Sequence, residues 1–107
     1  MFNEVEGLLK RAETGEIDKN SLEQATQEHV QSVDDLTVAQ HMQRAADNAS
    51  QNGKPDLAQQ ISEMLRRDRS NPQALKQDIV QLVKDNPDVL KHFESGFAKN
   101  ILSRIAQ

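Results

Sequence analysis

The sequence contains no cysteine, tryptophan or tyrosine, and its four glycines are isolated from one another. Without cysteine, the chain can form neither disulfides nor thiolate-based catalytic, iron–sulfur or common structural zinc sites. Isolated glycines also exclude the glycine-rich loops that bind phosphates and dinucleotides. Stability must therefore come from side-chain packing, and we expect no cofactor.

Long apolar runs are also absent, since no stretch approaches the roughly 20 residues that a membrane-spanning helix needs. The N-terminal residues include Glu4 and Glu6, whereas a secretory or mitochondrial leader carries lysine or arginine there. These features predict a soluble, cytoplasmic protein that does not bind membranes.

What is present is a helical pattern in a chain of 107 residues, of which 36% are hydrophobic. This length suits one domain with a modest core. Apolar residues recur every three or four positions, and the strict alternation typical of a half-buried strand is not sustained. We therefore predict a single all-α domain over residues 1–107.

Local start and stop signals divide this domain into five or six short helices. Starts are expected near Asn3, Ser21, Asp34, Pro55, Pro72 and Pro87. Asn52-Gly53, followed by Pro55, predicts a tight reversal and hence a central antiparallel helical hairpin over about 34–69. The strongest apolar stripe predicts a long C-terminal helix over about 87–106, with Gly96 marking a close helix crossing. We expect a compact bundle in which the hairpin packs on this C-terminal helix.

Charge is distributed unevenly, although the net charge is only −4. Residues 1–53 contain ten acidic and four basic residues, whereas residues 54–107 contain seven acidic and nine basic residues. This asymmetry fits either two halves that attract each other or a face for a charged partner. The sequence does not choose between the two interpretations.

The three histidines are the first candidates for a metal ligand or a general base. His29, His41 and His92 fall in separate predicted helices, with neither an HExxH motif nor an i, i+4 histidine pair. Each borders an apolar stripe, where histidines usually pack with one edge exposed. We therefore predict no metal site and no catalytic residue, and we do not expect an enzyme.

The basic cluster of Arg66, Arg67 and Arg69 is the one candidate binding site. It lies where a helix is expected to end, and the negative end of the helix dipole favours cations there. These arginines could bind an anion or an acidic partner, and Ser70 completes a pattern typical of basophilic phosphorylation sites. No aromatic residue lies nearby in the sequence to stack on a base, which argues against nucleic acid.

By elimination, the sequence favours a non-enzymatic protein–protein interaction module, and it leaves self-association and the identity of the protein partner open. The alternative is binding of a polyanion or nucleic acid through Arg66, Arg67 and Arg69. Salt distinguishes the two, because polyanion binding weakens steeply as ionic strength rises.

Overall fold

A computed structural model of the chain describes residues 7, 9–11, 14–93 and 95–105, without the side chain of Ser95. Gly7 and residues 9–11 are helical. The other elements, in chain order, are helices α1 (Lys19–Ser32), α2 (Asp35–Gln51), α3 (Pro55–Asp68) and α4 (Pro72–Asp85), a 3-10 helix (Pro87–Lys91) and helix α5 (Ser95–Ile105). No strand occurs in these ranges. The predicted all-α bundle is confirmed, while the expected helix start at Asn3 lies outside the described residues.

Polar side chains cap the helices where local chemistry predicts. Asp34 Oδ1 accepts a hydrogen bond from the Thr37 amide (2.8 Å), and Asn71 Oδ1 accepts one from Ala74 (3.2 Å). Helix α1 starts slightly earlier than the predicted start near Ser21, because Asp18 supplies its cap.

Helices α2 and α3 form the predicted antiparallel hairpin. Gly53 adopts a φ of 77°, a left-handed conformation that L side chains rarely adopt. The following amide of Lys54 donates to the carbonyl of Ala49 (2.8 Å), which satisfies an oxygen at the end of α2. The reversal is therefore encoded locally.

The core is centred on α4, which packs against α1, α2, α3 and the 3-10 helix. Helix α4 buries Leu75, Ile79, Val80, Leu82 and Val83, and α2 buries Val38, Met42, Ala45, Ala46 and Ala49. In contrast, α3 fully buries only two residues, Ile61 and Leu65. Among helices α1 to α4, α3 therefore has the fewest buried residues, and most of its residues are exposed to solvent.

The predicted continuous helix over 87–106 is divided in the structure. Residues Pro87–Lys91 form a 3-10 helix that ends with the His92 amide donating to the Val89 carbonyl (3.0 Å), and α5 begins at Ser95. On one straight helix, Val89 and Leu102 would point roughly 140° apart. The break allows both side chains to be fully buried.

The position of the hairpin also differs in detail from the prediction. Its most extensive contacts outside the hairpin are with α4, whereas it meets the C-terminal segment through α2, where His41 contacts Phe97 and Asn48 contacts His92. The close helix crossing predicted at Gly96 is wrong, because Gly96 is exposed and a β-carbon built there meets nothing within 4 Å.

The acidic and basic halves of the chain attract each other. Within the part of the chain that the structure describes, three ion pairs join them: Lys76 Nζ to Asp35 Oδ1 (3.6 Å), Lys84 Nζ to Glu23 Oε2 (3.6 Å) and Arg104 Nη1 to Glu28 Oε1 (3.5 Å). The first of the two sequence interpretations is therefore correct for these residues. None of the described helices combines the length and hydropathy that crossing a bilayer requires.

Candidate functional site

The predicted arginine cluster lies at the end of α3 and divides into two kinds of side chain. Arg66 and Arg69 are exposed, and neither forms an ion pair with any residue in the described ranges. Arg67 instead donates from Nη2 to Asp68 Oδ2 (2.9 Å) and to Asp78 Oδ1 (3.1 Å). Two guanidinium groups of the cluster thus have no ion pair among the described residues, and the third is held by two carboxyl groups.

An exposed leucine lies at the same end of the bundle. The hairpin is antiparallel, so the start of α2 lies beside the end of α3. Leu36, in the first turn of α2, is 71% exposed and is the large apolar side chain that the described structure leaves most open to solvent. We call the surface formed by Leu36, Arg66, Arg67 and Arg69 the arginine end of the hairpin.

The carboxylates near this surface are already engaged. Asp34 caps α2, and the hydrogen bond from the Thr37 amide lowers its pKa. Asp35 pairs with the buried Lys76. These interactions reduce the competition of Asp34 and Asp35 for Arg66 and Arg69.

Asp68 and Asp78 form a carboxyl pair between α3 and α4. Their side chains are only 17% and 14% exposed, and both contact Arg67. Burial raises the pKa of Asp78 to about 7, and the neighbouring Asp68 adds to the rise. The hydrogen bonds from Arg67 and Asp78 keep the pKa of Asp68 low. One carboxyl group thus retains its proton near neutral pH while the other is ionised.

Two of the three histidines come together, although no metal ligand set results. His29 from α1 and His41 from α2 both contact Phe97, with ring centroids 4.8 Å and 4.9 Å away, and Phe93 stacks on the same ring at 4.7 Å. Burial, and then the charges of Arg104 and His41, lower the pKa of His29. Neutral His29 therefore packs as an aromatic ring.

His92 lies elsewhere and ties the hairpin turn to the 3-10 helix. Asn52 Nδ2 lies 3.2 Å from His92 Nδ1, and Asn48 Nδ2 donates to the His92 carbonyl (2.8 Å). Because an amide nitrogen can only donate, Nδ1 accepts and the ring proton belongs on Nε2. Burial, and then Lys54, lowers the pKa of His92. Each of these contacts is structural.

A shallow groove of about 270 Å³ lies between α1 and α5. It is lined by Ser21, Gln24, Ala25, Glu28, Arg104 and Ile105. Its charged groups, Glu28 and Arg104, pair with each other, and its lining includes no histidine that could act as a base for Ser21. Across the ranges that the structure describes, no three histidine, aspartate or glutamate side chains are arranged to hold a metal ion.

Comparison with known proteins reveals no relative, since no protein-family model, curated protein or solved structure matches the chain. The candidate site therefore rests on the geometry of this chain. Sequence reasoning located the arginines but missed Asp78, because its contact with Arg67 spans the connection between two helices and has no local signature. The shared contact of His29 and His41 with Phe97 likewise depends on tertiary packing.

Proposed function

We propose that the protein is a non-enzymatic, cytoplasmic interaction module that binds an acidic segment of another protein through the arginine end of the hairpin. The observation that carries this proposal is the clustering of two guanidinium groups at one helix end. Arg66 and Arg69 are exposed and form no ion pair with any residue that the structure describes, whereas Lys76, Lys84 and Arg104 pair with the acidic half. Arginine is enriched at protein interfaces because it combines charge, directional donors and a contact surface.

One further feature favours a protein over a nucleic acid as the partner. Leu36 offers an exposed apolar side chain at the same end of the hairpin as the charged groups, which suits a peptide better than a phosphate backbone. Binding of a polyanion or nucleic acid through the same arginines is the second candidate, supported by the exposed guanidinium groups alone.

The two candidates can be separated with defined probes. Poly-L-glutamate would represent an acidic protein segment, and a duplex DNA of similar total charge would represent a nucleic acid. We expect the protein to bind poly-L-glutamate more tightly than DNA at low ionic strength, as measured by fluorescence anisotropy. Tighter binding of DNA would support the alternative, and binding of neither probe would contradict both.

A matched pair of variants tests the surface itself. Arg66→Gln/Arg69→Gln removes the two exposed guanidinium groups of the cluster and should weaken poly-L-glutamate binding by about tenfold or more. Lys54→Gln/Lys99→Gln removes the same charge from exposed positions outside the arginine end and should change the affinity less than about threefold. Equal losses in the two variants would show that net charge alone governs binding.

Self-association would make a second copy the acidic partner. Light scattering over a dilution series tests this, since the monomer has a mass of 12.0 kDa. A mass that increases with concentration in the native chain but not in Arg66→Gln/Arg69→Gln would identify a homo-oligomer formed through this surface. A constant mass of one chain would direct the search to a different protein.

A further inference from the structure

The carboxyl pair formed by Asp68 and Asp78 joins the least embedded helix of the hairpin to the central helix of the bundle. We infer that Asp68 and Asp78 share one proton, and that loss of this proton loosens the packing of α3 against α4. This inference concerns helix packing and does not depend on the proposed partner.

The geometry accounts for one proton. Arg67 supplies a single positive charge, with Nη2 2.9 Å from Asp68 Oδ2 and 3.1 Å from Asp78 Oδ1. Two ionised carboxylates would leave one negative charge uncompensated where the side chains are 17% and 14% exposed. Asp78 Oδ2 is buried and has no hydrogen-bond partner among the described residues, and a proton shared with Asp68 would provide one. One proton removes both the excess charge and the repulsion.

Other charged groups do not replace this proton. In the described part of the chain, Arg67 and Asp68 are the charged groups that act on Asp78. Charged residues of the neighbouring elements have other partners: Asp35 of α2 pairs with Lys76, Glu23 of α1 with Lys84, and Lys91 of the 3-10 helix with Asp88. The charge balance of the pair therefore depends on Arg67 and the shared proton alone.

Helix α3 is the element that deprotonation should release. It buries only Ile61 and Leu65 completely, and Arg67 in its last turn forms a hydrogen bond to α4 through Asp78. The folded chain holds the Asp78 proton up to a pKa of about 7, whereas the unfolded chain releases it near the ordinary value of 3.8. The folded state thus binds more protons between these values, and its local stability falls as pH rises.

Hydrogen exchange measured by NMR tests the inference. After correction for intrinsic exchange, linkage through a pKa near 7 predicts an increase of about tenfold in the opening of α3 between about pH 6 and about pH 8. Asp78→Asn removes the ionisable group at position 78 and should reduce this increase in opening to less than about twofold. Asp85→Asn, on the exposed side of the same helix, should retain the full increase.

Two results would overturn the inference. One is an opening of α3 that changes with pH equally in the native chain and in Asp78→Asn. The other comes from the carboxyl ¹³C resonance of Asp78, which should titrate near neutral pH and shift to a lower midpoint in Asp68→Asn, because the repelling charge is gone while Arg67 remains. A midpoint that stays in the ordinary aspartate range in both proteins would contradict proton sharing, whether or not the chain still binds poly-L-glutamate.

Discussion

The imidazole of His29 lies edge-on against the ring of Phe97, with centroids 4.8 Å apart and ring planes at 75°. His41 contacts the same phenylalanine from a different helix. Phe97 is only 3% exposed, so three helices, α1, α2 and α5, meet around one buried ring. Two of the three histidines that the sequence offered as candidates for chemistry therefore contribute aromatic surface to this junction.

Truncating the ring at this junction should have a large effect. Phe97→Ala should reduce the free energy of unfolding by about 3–5 kcal/mol, because it removes buried apolar surface and leaves a cavity between the helices. Urea denaturation measures the loss. Leu36→Ala, at an exposed apolar position, is the control and should change stability by less than about 0.5 kcal/mol. A similar small loss in Phe97→Ala would mean that the three helices do not pack around this ring.

Protonation of His29 should destabilise the same junction. Burial lowers the pKa of His29 below its ordinary value of 6.5, so the unfolded chain binds this proton more readily than the folded chain. The stabilising effect of neutral His29 is complete above 6.5 and is lost as pH falls from there through the lowered pKa of the folded state. His29→Gln should therefore lose less stability than the native chain between about pH 7.5 and about pH 5.5.

The measurement is the urea midpoint of both proteins at each pH. The difference between the proteins is decisive, because His92 also has a lowered pKa and Asp78 acts in the opposite direction. Gln27→Ala, on the exposed face of α1, should follow the native chain. An unchanged acid dependence in His29→Gln would show that His29 is not the titrating group.

The hairpin could be predicted because its turn residues are close together in the sequence. Contacts between residues that are distant in the sequence have no comparable local pattern. Gly53 and Pro55 define the reversal within a few residues of each other, and the structure confirms it. The divided C-terminal segment buries both Val89 and Leu102, and this burial depends on the surrounding helices. Similarly, the arginine cluster is visible in the sequence, but the engagement of Arg67 by Asp78 requires the packing of α3 on α4.

The two glycines at 53 and 96 should respond oppositely to alanine. Gly53→Ala should cost about 1 kcal/mol, because a β-carbon is strained at a φ of 77°. Gly96→Ala should stabilise the protein by about 0.5 kcal/mol, because the position is helical and a β-carbon meets no neighbour. Thermal or urea denaturation of the pair provides the comparison. If Gly96→Ala destabilised the protein, the result would support the close helix crossing that the sequence predicted at this position.

The ion pair between Lys76 and Asp35 can be used to measure how much the attraction between the two halves contributes to stability. The Lys76 side chain is 5% exposed, and its Nζ extends to Asp35, which is 63% exposed. Lys76→Met preserves the packed stem and should change stability by less than about 1 kcal/mol, whereas Lys76→Ala should lose about 2 kcal/mol. A double-mutant cycle with Asp35→Asn should give a coupling energy of about 0.5–1 kcal/mol. Equal losses in Lys76→Met and Lys76→Ala would instead show that the charge, rather than the buried stem, accounts for the role of this lysine.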